Sequence, residues 1–208
     1  MRNLLVIVSV FAFFALHGQE KAMTTSEITL FKKKVSATSL STKTIRSDFT
    51  QYIHLDFLSN DIEASGNMAF KVPDMVKWHY TKPYNYSVVF NKNKLYINND
   101  GSKSNVDLGN NKLFKKLNEL IIGSVKGDMF NDVDFVTTYL KTESLIKVVY
   151  VPKDQKITDY IASFELLFDR LKANVQEVKI IESTGDYTQI IFHNRTLNQP
   201  LSDAVFAH

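Results

Sequence analysis

Chemistry at a protein site needs nucleophiles, acid–base pairs, metal ligands or phosphate cradles, and this chain carries few of them at a useful spacing. It has no cysteine, which removes thiolate nucleophiles, disulfides and thiolate metal sites together. The histidines are His17, His54, His79, His193 and His208, with no His-x-x-x-His pair that one helix face could turn toward a metal. Asp128, Asp132 and Asp134 loosely resemble the start of a calcium loop but lack its glycine and closing glutamate, so a solvated turn is the expected reading. Gly-x-Ser-x-Gly, a phosphate-cradling glycine loop and a dinucleotide fingerprint are all missing. Asn194-Arg-Thr196 is a formal glycosylation acceptor, a three-residue match that carries little meaning by itself. The expectation is a protein that is not an enzyme and uses no metal or cofactor.

What remains is the chemistry of apolar surface. In residues 44–57, Ile45, Phe49, Ile53, Leu55 and Phe57 fall on one parity, and Arg46, Asp48, Thr50, His54 and Asp56 on the other. This period of two predicts one long antiparallel strand with one apolar face. Further strands are expected at 62–72, 76–80, 84–91, 94–98, 134–141, 144–151, 159–169, 175–182 and 187–195, with a last short one near Val205. Gly66 stands mid-strand, where a bulge or sharp bend is expected. Turns are expected at residues 91–94 and at Gly185-Asp186. The predicted class is mainly β (α+β): a curled antiparallel sheet of about 10–11 strands forming an unclosed half-barrel. Phe49, Met68, Phe70, Val76, Trp78, Tyr80, Val88, Phe90, Ile97, Phe164, Leu166 and Phe168 are the candidates for a lipid-binding concave surface. The same residues would equally form a filled core.

Two helices are expected. One spans about residues 20–42, with Ile28, Phe31 and Val35 on one face and N-cap candidates at Thr25-Ser26-Glu27. The other interrupts the meander, where Leu113, Phe114, Leu117, Leu120 and Ile121 recur at helical spacing. An amphipathic helix there must bury its stripe, and the open mouth of a half-barrel is the place for it, which makes it a candidate lid.

The bulk properties bound the setting. Arg2 followed by an uncharged apolar run from Leu4 to Leu16 reads as a signal peptide, with cleavage near Gly18 or Gln19. Residues 1–19 are thus expected to be removed, leaving 20–208 as one domain of about 190 residues. Export without cysteine points to a periplasm. A formal charge of +3 argues against nucleic acid as a partner. Fifteen Phe and nine Tyr against one Trp suit a β protein, and suit an apolar cavity as well.

Some of these residues fit a known pattern. Ser47-Asp-Phe-Thr-Gln51, Gly66-Asn-Met-Ala-Phe70 and Pro73-x-x-x-x-Trp78-His-Tyr80 with Pro83 resemble the outer-membrane lipoprotein carrier (LolA) family. The ending, from Glu182 through Gly185-Asp-Tyr-Thr to Phe192, Asn194, Asn198 and Phe206, resembles Bacteroidetes-type members. The resemblance implies an unclosed barrel lidded by helices. It implies a monomeric carrier that takes acylated lipoproteins from an inner-membrane ABC transporter (LolCDE-like) to an outer-membrane acceptor. A free lipid or glycolipid as cargo, or a non-enzymatic lipoprotein-sensing domain, would use the same fold. One departure stands out: the family often has an arginine before the strand-breaking proline, as a polar latch to the lid. Here that latch position is Val72.

Overall fold

The computed structural model describes residues 20–91, 94–107, 123 and 133–208. Alternating sequence becomes one 12-stranded antiparallel sheet. Strands β1 (Lys21–Ala22), β2 (Thr44–His54), β3 (Ile62–Lys71), β4 (Met75–Lys82), β5 (Tyr86–Asn91), β6 (Lys94–Asn99) and β7 (Ser102–Asp107) form the first part of the chain. Strands β8 (Phe135–Lys141), β9 (Leu145–Pro152), β10 (Ile161–Asp169), β11 (Val175–Glu182) and β12 (Tyr187–Leu197) form the second. Their order is β1-β8-β9-β10-β11-β12-β2-β3-β4-β5-β6-β7, so β12 closes back on β2 while β1 and β7 remain edges. The sheet is unclosed.

Helix α1 (Thr25–Ser41) begins beside β8, where the Met23 amide donates to the Tyr139 carbonyl at 3.0 Å, and delivers the chain to β2. Its 17 residues span about 25 Å at 1.5 Å each. The five strand steps from β8 to β2 need about 24 Å at 4.8 Å each. The helix is therefore long enough to cross that half of the sheet. It lays Phe31 and Val35 onto β8–β11, with Phe31 edge-on to Tyr139 and Phe168. Its N-cap is Thr24, one residue before the expected candidates, and Thr24 and Glu27 form a reciprocal capping box. A four-residue helix, α2 (Gln155–Thr158), joins β9 to β10.

The sheet corrects the expected count of 10–11 strands in three places. β1 and β7 escape a hydrophobic pattern because β1 has two residues and β7 is exposed along its whole length. The segment near Val205 is a short 3-10 turn, Asp203–Phe206, capped by Ser202, and not a strand. β2 stops at His54, leaving Phe57 80% exposed in the following turn. Gly66 does sit at a register shift between β3 and β4. The 91–94 turn lies partly outside the described residues.

Three apolar clusters hold the sheet. Phe135, Tyr139, Ile146, Val148, Tyr150, Phe164, Leu166 and Phe168 pack under α1. Ile45, Phe49, Met68, Phe70, Val76 and Trp78 form a second cluster on β2–β4, and Phe192 touches both. On the opposite face, Leu201 and Phe206 cover Ala69 and Val89. Lys71 fixes this C-terminal segment by donating to the Leu201 carbonyl at 2.8 Å, and Lys77 to that of Val205 at 3.1 Å.

Candidate functional site

The structure separates the predicted lining residues by depth and by half of the sheet. Phe49, Met68, Phe70, Val76 and Trp78 are buried against one another, with Phe49 edge-on to both Trp78 and Tyr80 at about 5 Å. Phe164, Leu166 and Phe168 belong to the other cluster, under α1, and not to one continuous surface with the first set. Tyr80, Val88, Phe90 and Ile97 are half-buried on the concave face. Val72 packs beside the second cluster, and its amide donates to the Lys43 carbonyl. The lid residues Leu113, Phe114, Leu117, Leu120 and Ile121 lie outside the described residues.

A cavity of about 710 Å³ opens where the sheet is not filled, at the end of β3–β5 away from Ile45. Ile62 and Ala64 of β3, Tyr80 and Lys82 of β4 and Tyr86 of β5 line it, with Pro83, Tyr84 and Asn85 of the connecting turn, Asn99 at the end of β6 and Asp100 just beyond it. Its size falls within the roughly 300–1,000 Å³ usual for small-molecule sites. Register explains the placement. Phe192, Phe49, Gly66 and Tyr80 stand side by side across four strands. Below this row β3 and β4 carry Met68, Phe70, Trp78 and Val76, large and packed on one another, whereas above it β3 offers only Ala64 and Ile62. Gly66, with no side chain, keeps the row itself open.

Tyr80 sets the floor of the cavity. Its hydroxyl donates to Gln51 Oε1 at 2.8 Å, which satisfies two polar groups against apolar surroundings. Burial, and then the neighbouring Tyr86, push its phenol up to about 12, so it stays a neutral donor at any physiological pH. Of the predicted lining residues only Tyr80 lines this cavity. Tyr84 and Tyr86 went unrecognised, although three tyrosines within seven residues around Pro83 are a visible signal.

Deeper, a bulge interrupts the β12–β2 pairing between His193 and Thr196. Asn194 takes a φ of 50° there and turns outward to Asp48, donating to its Oδ2 at 2.8 Å. Arg195 is turned the other way and half-buried, with Nη1 donating to the Val175 carbonyl at 2.8 Å. Ser47, buried opposite the bulge, donates to the His193 carbonyl at 2.7 Å. Among the described residues no group of three His, Asp or Glu converges as a metal site would require.

An unclosed antiparallel sheet with a helix on its concave side and an apolar cavity at one end defines a binding scaffold. The sequence pattern of the outer membrane lipoprotein carrier protein LolA matches residues 40–208, and the chain belongs to that family. An outer-membrane lipoprotein carrier protein of Azotobacter vinelandii is 25% identical over 171 residues, covering 79% of this chain and 76% of the relative. A LolA superfamily protein from Nitrosomonas europaea superposes with a TM-score of 0.45 at 9% identity, over 86% of this chain and 97% of the other. The Mycobacterium tuberculosis lipoprotein LppX superposes with a TM-score of 0.49 at 9% identity, over 86% and 99%.

Proposed function

We propose that this protein is a periplasmic, non-enzymatic carrier. On this reading it shields the acyl chains of lipoproteins and ferries them from an inner-membrane ABC transporter to an outer-membrane acceptor. The observation that carries the reading is the cavity beside Tyr80 and Tyr86, lined mostly by apolar atoms, in a chain of this family. Each buried methylene is stabilised by about 0.8 kcal/mol, so a bare acyl chain cannot leave a membrane at useful rates and must be covered in transit. Residues 1–19 fit this role as the export signal. Leu113, Phe114, Leu117, Leu120 and Ile121 fit it as the lid stripe. Val72 at the latch position favours a second reading, a carrier of a free lipid or glycolipid, because the polar catch that resemblance to the family implies has no counterpart there.

Native mass spectrometry on protein purified from its own periplasm tests both. A bound triacylated lipoprotein is expected from the first reading and a free lipid from the second. A protein that is empty and also fails to bind a fluorescent acyl probe would overturn both. Within the cavity, Tyr86→Glu is expected to weaken probe binding at least tenfold, with the melting temperature changed by only a few degrees, because Tyr86 is half-buried. Equal loss of fold and binding would make the cavity rim a structural element only.

A further inference from the structure

The large apolar side chains that this fold leaves in solvent are not spread evenly. Among the described residues the exposed aromatic ones are Phe57, Tyr84 and Tyr160, at 80, 77 and 66% exposure. All three stand on connections at one end of the sheet. Phe57 lies in the β2–β3 turn beyond the Ile53–Ile62 pair, and Tyr84 in the β4–β5 turn beyond Tyr80–Tyr86. Tyr160 directly precedes β10, whose Ile161 pairs with Glu182 at the end of β11. Tyr187 pairs with both Ile181 and His54, which brings that end of β11 beside the end of β2. The cavity opens here too, and Tyr84 and the exposed Ile62 line it. The opposite end exposes Leu40, Val106 and Leu171 but no described aromatic ring.

Two of these connections have a fixed backbone. The Leu58 amide donates to the Leu55 carbonyl, His54 Nδ1 bonds Asp61 Oδ1 across the base of the turn, and the Asp56 amide donates to Asp186 Oδ1, each at 2.8 Å. The Tyr160 amide donates to the Ile157 carbonyl at 3.0 Å, and its own carbonyl accepts the Ser183 amide at 3.1 Å. A ring held out on a fixed backbone loses little freedom when it is covered. From β10 to β4 is five strand steps, about 24 Å along the curve of the sheet at 4.8 Å each. A protein groove would have to seat three isolated rings at that spacing at once. A lipid surface takes each ring independently, and aromatic rings settle at its headgroup level. The charges on these connections show no cationic excess: Asp56 and Asp61 on the first, Lys82 beside the second, and Lys153, Asp154, Lys156 and Asp159 ahead of Tyr160. The surface that fits is electrically neutral, and what draws the protein to it is apolar.

We propose that this end of the half-barrel is a membrane-docking surface, on which Phe57, Tyr84 and Tyr160 enter the interface of a neutral lipid layer and bring the cavity opening level with it. This rests on the carrier reading and names the lipid surface itself as a partner at the cavity. An acyl chain then passes between cavity and bilayer along Tyr84 and Ile62 without crossing water, which removes the cost of exposing its methylenes on the way.

Flotation of the intact protein with phosphatidylcholine vesicles tests it. The wild type is expected to float with the lipid, and to do so equally at about 0.05 and about 0.5 M salt, a range over which contacts between charges are screened. The chain has no cysteine, so one introduced Cys can carry a polarity-sensitive dye. The dye on Ser59→Cys, in the Phe57 turn, is expected to shift to the blue on vesicles, and the dye on Lys172→Cys, exposed at the opposite end, to stay unshifted. Phe57→Ser is expected to weaken vesicle binding about tenfold. It is expected to leave the binding of a fluorescent acyl probe in vesicle-free solution unchanged, because Phe57 does not line the cavity. Flotation that requires phosphatidylglycerol, or that salt abolishes, would assign the contact to lysines and overturn the proposal. So would equal shifts at the two dye positions. A wild type that binds the probe but never floats would overturn the docking surface and leave the carrier standing. One that floats with the Ser59 shift but never binds the probe would overturn the carrier reading and leave the docking surface standing.

Discussion

Gly66 lies so close to the neighbouring strand that a side chain has nowhere to go. A Cβ built there would stand 2.0 Å from the His79 carbonyl oxygen and 2.8 Å from the Tyr80 Cα, both backbone atoms that cannot swing aside. Gly66→Ala is therefore expected to force β3 and β4 apart at the bulge and to destabilise the fold by about 2–3 kcal/mol, the upper part of the overpacking range. Urea unfolding checks it, and a loss below about 0.5 kcal/mol would show that the strands yield. The neighbouring Phe70 makes the contrasting case. It is wholly buried among Ile45, Met68 and Val76 rather than lining the cavity, so Phe70→Ala is expected to cost about 3–5 kcal/mol. Alternation in the sequence named Phe70 correctly as inward-facing. It could not say how deep along the strand the filled core gives way to open space, because that depends on which residues stand beside it across four strands.

At the scale of elements, α1 is fastened at one end by Glu27. The carboxylate caps the helix through Thr24 and also meets the Lys141 ammonium on β8. The Lys141 hydrogen bond, and then the Thr24 amide, hold its carboxyl down at about 2 from an ordinary value near 4.5. A depressed carboxyl stabilises the fold fully above its unfolded value, and that contribution is lost as pH falls through the folded one. The stability difference between wild type and Glu27→Gln is thus expected to be constant above about pH 5 and to shrink toward zero between about pH 4.5 and 2. Denaturant unfolding of both proteins across that range checks it, and a constant difference down to pH 2 would remove the link. The helix itself was legible from Phe31 and Val35 at a spacing of four. Its cap was misplaced by one residue, since Thr24 and Thr25 have the same chemistry and only the reach to Glu27 separates them. β7 was not legible at all: its exposed edge carries no apolar face to read.

Across the whole molecule the sheet is continuous but its concave apolar surface is not. One cluster sits under α1, the other on β2–β4, and Phe192 of the central strand β12 is packed against both. The sequence listed Phe49 and Phe164 as one surface because parity along each strand says nothing about where a curved sheet divides its filling. The division makes the joint a test of cooperativity. Trp78, the single tryptophan, lies 6.0 Å from the Phe192 ring and reports on the β2–β4 half alone, whereas far-ultraviolet circular dichroism averages over the sheet. In the wild type the two signals are expected to give one coincident denaturant transition, as a single cooperative domain does. Phe192→Ala removes the ring that packs on both clusters and leaves the strand pairing of β12 with β2 and β11 intact. Its expected cost is about 2–3 kcal/mol, less than for a fully buried ring because Phe192 is half-buried, and the tryptophan transition is expected to fall at a lower urea concentration than the dichroism transition. A variant that loses stability with its two transitions still superimposed would show that backbone pairing, and not Phe192, couples the halves.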